Sequence, residues 1–222
     1  MAIKIETTRK EVHWVKMLCY GESGIGKTSL CGTAPRPIII SAEKGLLSLA
    51  DMDIPVIEVK NLSEVREAYK YLQSADEYDT VCIDSLSELA ETLLAEFKKE
   101  TKDPRQAYGR MGDEMAEIVR KFRDLPNKHV FFICKQQRTQ DEFTGKISYT
   151  PLMPGKAFAV NLPYFFDIVG CLRVGKKDKA EFRYIQTQPS MQYEAKDRSS
   201  KLDASEKPDL TYIFNKIKGT KS

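Results

Sequence analysis

Short apolar runs rich in β-branched residues alternate along this chain with longer stretches whose apolar positions recur every three or four residues. The runs Val15–Tyr20, Pro37–Ser41, Ile54–Val59, Thr80–Asp84, His129–Cys134, Asp167–Val174 and Glu181–Gln186 predict strands. The amphipathic stretches predict helices over Lys27–Thr33, Ser63–Ser74, Leu86–Glu100, Gln106–Leu125 and near Leu210–Ile217. In the second of these, Leu62, Val65, Ala68, Tyr69 and Leu72 fall at helical spacing, and Asn61 or Ser63 is placed to cap it. The runs VCID and VFFIC are apolar without alternation, as strands covered on both faces are. Strand–helix alternation of this kind predicts an α/β fold with a mostly parallel central sheet and helices on both faces. The last two strands are joined by Gly175–Lys179, which reads as a hairpin and makes that edge of the sheet antiparallel. Gln136–Leu162 has no clear period and holds two Gly and two Pro, so it reads as a long loop, and such loops are usually functional or disordered.

The chain has 222 residues, enough for one compact domain with a modest appendage, and its charged residues leave a formal net charge of +3. That balance is too close to neutral to argue for nucleic acid by bulk charge. No apolar stretch approaches the roughly 20 residues of a membrane span, and the charged N-terminus carries no signal-peptide apolar region, so a membrane partner and export are not expected. Cys19, Cys31, Cys82, Cys134 and Cys171 are odd in number, form no C-x-x-C pair, and lie largely in apolar runs. They read as buried reduced thiols, which points to a cytoplasmic location. With only His13 and His129 besides, no zinc site assembles at a recognisable spacing.

The strongest local signal is Gly21-Glu22-Ser23-Gly24-Ile25-Gly26-Lys27-Thr28, which fits G-x-x-x-x-G-K-[ST] between a strand and a helix, with Ser29 next in line. The glycines let the backbone turn so that N–H groups point at phosphate oxygens, Lys27 reaches the β- and γ-phosphates, and the Thr28 hydroxyl is a ligand for Mg²⁺. ATP and Mg²⁺ are therefore the expected cofactors. Phosphoryl transfer also needs a carboxylate beside this loop, and Asp84 ends the apolar strand Thr80–Asp84 where it is placed to serve the ion, while Asp84 or Ser85 caps the following helix, two roles that are compatible. A base or orienting acceptor for an attacking water belongs on a neighbouring strand end. Glu43 follows Pro37–Ser41, and spacing does not separate it from Asp51 or Asp53.

Taken in order and spacing, Gly21–Thr28, Ile38–Glu43 (IIISAE), Thr80–Leu89 (TVCIDSLSEL) and His129–Gln137 (HVFFICKQQ) resemble the RecA-type recombinase ATPase core. The chain is more closely similar to phage-encoded RecA-like single-strand annealing ATPases, with Leu152–Lys156, Tyr164–Val169 and Thr187–Arg198 adding to the match over about residues 14–215. The resemblance implies a sheet in the order 5-1-4-3-2 with an antiparallel extension, residues 14–222 forming the ATPase domain and residues 1–13 an arm. It also implies Glu43 as the catalytic acid, and a polar γ-phosphate sensor at the end of the fifth predicted strand, which falls on Lys135 or Gln136.

In recombinases the DNA-binding loops follow that strand, which here is 137–159. Arg138, Phe143, Lys146, Tyr149 and Lys156 interleave cations with rings, the combination that tracks phosphates and stacks on bases of single-stranded DNA. The resemblance further implies a homo-oligomer with ATP at subunit interfaces, Lys196 and Arg198 as basic fingers reaching a neighbour's nucleotide, and a single-strand-binding protein as a possible partner. The function so implied is ATP-dependent annealing or strand pairing in phage recombination. Two other readings remain open: a small-molecule P-loop kinase with Lys102–Arg110 as an arginine-rich lid, and a nucleotide-gated adaptor that does not bind DNA.

Overall fold

In the computed structural model of the chain, which describes residues 14–43 and 45–220, strands form at β1 (Lys16–Gly21), β2 (Pro37–Ser41), β3 (Val56–Glu58), β4 (Thr80–Asp84) and β5 (His129–Gln140). They continue with β6 (Ile147–Pro151), β7 (Ile168–Lys177), β8 (Ala180–Gln186), β9 (Lys196–Asp197) and β10 (Ser205–Glu206). The helices are α1 (Lys27–Cys31), α2 (Leu62–Leu72), α3 (Leu86–Glu100), α4 (Pro104–Arg123), α5 (Lys156–Asn161) and α6 (Leu210–Lys218). The expected arm at 1–13 lies outside the described residues. Among those described, no helix is long and apolar enough to cross a membrane.

The sheet runs β10-β8-β7-β1-β5-β4-β2-β3, with β6 added to β5 and β9 to β7. Strands β7, β1, β5, β4, β2 and β3 are parallel, while β8 runs against β7 and β10 against β8. The core order β7-β1-β5-β4-β2 is the RecA-like order 5-1-4-3-2, and β3 extends it as a parallel edge strand. The turn joining β7 to β8 is tighter than Gly175–Lys179: only Asp178 and Lys179 lie outside the ladder, both with positive φ (49° and 68°), as a two-residue primed hairpin requires.

Both faces of the sheet are covered, which is why its central strands read as unbroken apolar runs. On one face Leu18, Ile38, Val81 and Phe132 pack beneath α2, α3 and α4. On the other, Met17, Ile39, Cys82 and Phe131 pack with α1 and α6. All five cysteines are buried and unpaired. Capping chemistry sets the helix starts. Asn61 accepts from the Glu64 amide at 3.0 Å, and Ser85 from the Glu88 amide at 3.3 Å. Asp103 accepts from the Arg105 amide at 2.9 Å with Pro104 in the first turn, so α4 begins two residues before the expected Gln106.

One expectation is overturned. Gln136–Leu162 is ordered throughout: β5 continues past Cys134 to Gln140, pairs antiparallel with β6, and is followed by α5 and a 3₁₀ turn at Leu162–Phe165. The turn chemistry is local. The Asp141 carboxylate accepts from the amides of Phe143 (3.1 Å) and Thr144 (2.7 Å), and Gly145 adopts φ 66°.

At the other end of β5, His129 is buried against Phe214, ring centroids 4.2 Å apart. Its Nδ1 accepts from the Val15 amide at 2.9 Å, while Nε2 is buried without a partner. Burial, reinforced by Lys218 and Lys16, pushes the imidazole down to about 3. The folded state therefore binds fewer protons than the unfolded chain between the ordinary histidine value and that lowered one. Stability from this group is present above about pH 6.5 and is lost as the pH falls toward 3, at most about 1.4 kcal/mol per pH unit. Urea denaturation at pH 7 and pH 5 should show that loss. His129→Phe should flatten it, while costing about 1–3 kcal/mol at pH 7 through the orphaned Val15 amide.

Candidate nucleotide-binding site

The loop leaving β1 needs its glycines. Gly24 and Gly26 have φ of 72° and 102°, where a side chain is strained, and a Cβ on Gly21 would come within 2.9 Å of the Leu172 carbonyl oxygen. Gly21, Glu22, Ser23, Gly24, Gly26, Lys27, Thr28 and Ser29 line a cleft of about 710 Å³. Ile25 turns the other way and packs into the core beneath the loop. Lys27 folds back on the loop, its Nζ donating to the carbonyls of Gly21 at 2.9 Å and Glu22 at 2.7 Å. Burial lowers its amine below the usual lysine range.

Across the cleft, Thr28 Oγ1 donates to Asp84 Oδ2 at 2.6 Å. Asp84 is 5% exposed, and burial raises its carboxyl above the usual range; the Glu43 charge adds to this, while the Thr28 bond and Lys27 oppose it. A hydroxyl and a carboxylate in contact form the hard-oxygen pair that suits Mg²⁺, so the residues present fit the ion. The next residue, Ser85, donates its hydroxyl to Glu43 Oε1 at 2.5 Å as well as capping α3. Ser85 thus takes the capping role, while Asp84 faces Thr28 in the cleft. Glu43 lines the cleft, whereas Asp51 and Asp53 are exposed outside it.

The two sensor candidates both reach the cleft. The Lys135 amine is held by Glu88 at 2.6 Å and Glu91 at 3.1 Å, while Gln136 Oε1 faces only the Cys171 thiol at 3.6 Å. Gln136 is therefore the freer of the two. Lys196 and Arg198 sit elsewhere. β9 pairs with Ile168 and Val169, at the level of Met17 and Leu18 and so near the end of the sheet opposite the phosphate loop. Lys196 donates to the Pro163 carbonyl, and its amine is pushed down to about 8 by burial and by Arg198. Arg198 donates to the Tyr164 carbonyl at 3.3 Å. Neither lines its own cleft.

Of the predicted DNA contacts, Arg138 and Lys146 are exposed on the β5–β6 hairpin, Phe143 is 98% exposed at its tip, and Lys156 is exposed at the start of α5. Tyr149 departs from the expectation: Tyr193 stacks on it at 4.5 Å and 14°, so one ring face is already covered. The kinase lid is also placed away from the cleft. Arg110 pairs with Glu100 at 2.7 Å and lies over Phe97, and no residue of 102–110 lines the cleft. Sequence reading missed Arg183, which lines the cleft from β8. Its only signal was a cation inside a strand, which spacing could not connect to a loop so far away in the chain.

A buried carboxyl with a raised value stabilises the unliganded fold least when ionised, so that stability falls as the pH rises from about 3.8 through the raised value. Asp84→Asn should accordingly melt at the same or a higher temperature than wild type in the absence of Mg²⁺ and nucleotide. It should lose the upward shift that Mg²⁺–nucleotide produces in wild type. Differential scanning fluorimetry reads both effects.

Among solved structures, the chain is similar to a KaiC-like protein from the hyperthermophilic archaeon Pyrococcus horikoshii, with a TM-score of 0.43 and 12% identity over 77% of this chain and 76% of that one. No curated protein matches the sequence. A family model described as an AAA domain matches residues 13–199, which takes in the phosphate loop, Glu43, Asp84 and the hairpin. With a phosphate loop whose Thr28 touches a buried strand-end Asp84, the chain belongs to this AAA-domain family and has the nucleotide site of a P-loop ATPase.

Proposed function

We propose that the chain is an ATP- and Mg²⁺-dependent ATPase that acts as a homo-oligomer on single-stranded DNA, promoting annealing or strand pairing of the phage-recombination type. The observation that supports the hydrolytic part is the pair of contacts Thr28–Asp84 and Ser85–Glu43, which joins a hydroxyl at the start of α1 to Asp84 at the end of β4 and to Glu43 just beyond the adjoining β2. Mg²⁺ would neutralise charge developing on the phosphates. Lys27 would exchange its loop carbonyls for phosphate oxygens, and Glu43, held by Ser85, would orient the attacking water and accept its proton.

The DNA part is supported by the hairpin. β5 runs without interruption from Gln136 in the cleft to Gln140, and the turn beyond it holds an exposed Phe143. Arg138 and Lys146 there are offset by Asp141 and Glu142, so stacking contributes more than net charge. The distance of Lys196 and Arg198 from their own cleft suits a role toward a neighbouring subunit. A single-strand-binding protein as partner rests on the resemblance alone.

The test combines turnover and binding. Lys27→Ala should abolish nucleotide binding, and Glu43→Gln should cut kcat by about 10²–10⁴ while leaving ATP affinity within about threefold. Fluorescence anisotropy of a labelled single-stranded oligonucleotide should show binding strengthened by ATP–Mg²⁺ in wild type only. With two or three cations engaged, the log–log salt slope should be about −1.4 to −2. Phe143→Ala should weaken binding by about 1–3 kcal/mol. Mixing Arg198→Ala with Lys27→Ala subunits should recover some turnover if the finger acts between subunits. Robust ATP hydrolysis with no DNA binding in any nucleotide state would favour the adaptor reading.

A further inference from the structure

The phosphate loop sits between two unlike walls. Asp84 and Glu43 come from the side of β1 occupied by β5, β4 and β2, whereas Arg183 comes from β8, beyond β7 on the opposite side. At about 4.8 Å per strand, the strands that carry Asp84 and Arg183 lie about 10 Å to either side of the loop strand, and β2, which precedes Glu43, lies about 14 Å away. Val174 faces Arg183 across the ladder, and this register carries the side chain over the loop. A methyl group on Gly26 would meet Arg183 Nε at 3.7 Å and Cδ at 3.8 Å. The strand is on an antiparallel hairpin, Arg183 is exposed, and among the described residues it forms no ion pair.

That asymmetry orients a bound nucleotide. Thr28 and Asp84, in contact at 2.6 Å, would hold Mg²⁺, which would supply charge neutralisation at the terminal phosphates. The terminal phosphate would then lie toward β4 and β2, leaving the α-phosphate and nucleoside to extend toward β7 and β8. We infer that Arg183 is a nucleotide-binding residue of the same chain, whose guanidinium holds the α- and β-phosphates of a nucleoside di- or triphosphate from the side opposite Asp84. This deepens the ATPase reading and rests on it. A planar fork of donors suits bridging two phosphate groups, where an ammonium acts only as a point charge. The contact is made equally to ADP and ATP, so it contributes to affinity and not to the chemical step.

Calorimetric titration of the full chain with ADP–Mg²⁺ and ATP–Mg²⁺ tests this, with turnover measured alongside. Arg183→Ala should weaken both nucleotides about 10- to 100-fold, the loss expected for a charge-assisted phosphate contact. Its kcat at saturating ATP should stay within about twofold of wild type. Arg183→Lys should recover only part of the affinity. The melting temperature without nucleotide should be unchanged, which separates a lost ligand contact from a weakened fold, while the rise produced by ADP–Mg²⁺ should shrink. Unchanged ADP affinity in Arg183→Ala overturns the inference, and so does a fall in kcat with ADP affinity intact, which would place Arg183 at the γ-phosphate. Failure of the ATPase reading looks different: wild type itself would bind neither nucleotide, and the inference would fall with it.

Discussion

Parallel pairing that brings the C-terminal ends of β1, β4, β2 and β5 to one level is the constraint on which the cleft depends. Ser41 pairs with Asp84, Ile83 with Phe132 and Gly21 with Lys135. The phosphate loop, Asp84, the Ser41–Glu43 segment and Gln136 then open onto the same edge although they are far apart in the chain. Because side chains alternate, a one-residue slip of β4 would turn Asp84 to the other face and break its 2.6 Å contact with Thr28. The register is held by burial: every residue of β4 and nearly every residue of β1 and β2 is enclosed between the two helical layers. The site inherits its precision from the core beneath it.

The electrostatics of the cleft are those of a site built for a ligand. Lys27 is lowered and Asp84 raised, each mainly by burial, so both are held against their charged forms despite their mutual attraction. A fully effective ion pair would shift both the other way. Lys27 satisfies its donors on the carbonyls of Gly21 and Glu22, and Asp84 takes its bond from Thr28. Phosphate oxygens beside Lys27 and a divalent cation beside Asp84 are partners that would favour the charged form of each.

The core of this arrangement was legible in the sequence because its signals are local. Apolar runs without alternation revealed the buried strands, Thr80–Asp84 with its observed limits, helical spacing revealed Leu86–Glu100 with its own, and the glycine spacing revealed the phosphate loop. What escaped was decided elsewhere. In the β5–β6 hairpin the distal half of β5, Gln136–Gln140, is wholly polar, β6 alternates over only five residues, and the turn is specified by one Asp141 carboxylate and Gly145. The separation of Glu43 from Asp51 and Asp53 depended on Ser85, a residue on another strand end. Arg183 reaches the loop only because β8 folds back along β7 with Val174 opposite it. Tertiary register, not composition, decides such positions.

The hairpin joins the cleft more firmly than a flexible loop would. Tyr20, the residue before Gly21, donates its hydroxyl to the carbonyls of Tyr149 at 3.0 Å and Glu194 at 2.7 Å. Tyr149 also exchanges backbone bonds with the 192–194 segment, its amide donating to the Gln192 carbonyl at 2.7 Å and its carbonyl accepting from the Glu194 amide at 3.1 Å. Arg173 covers the outer face of this stack, 3.9 Å from the Tyr193 ring centroid. The base of the hairpin is thus locked to β1 by hydrogen bonds and stacked rings, and burying those polar groups unpaired would cost about 1–3 kcal/mol each. Only the distal residues around Phe143 lack such restraints from the body of the protein. The contacts that fix the base of the hairpin start at Tyr20, the residue next to the phosphate loop, so the strand that feeds the nucleotide cleft also anchors the hairpin that presents Phe143 to solvent.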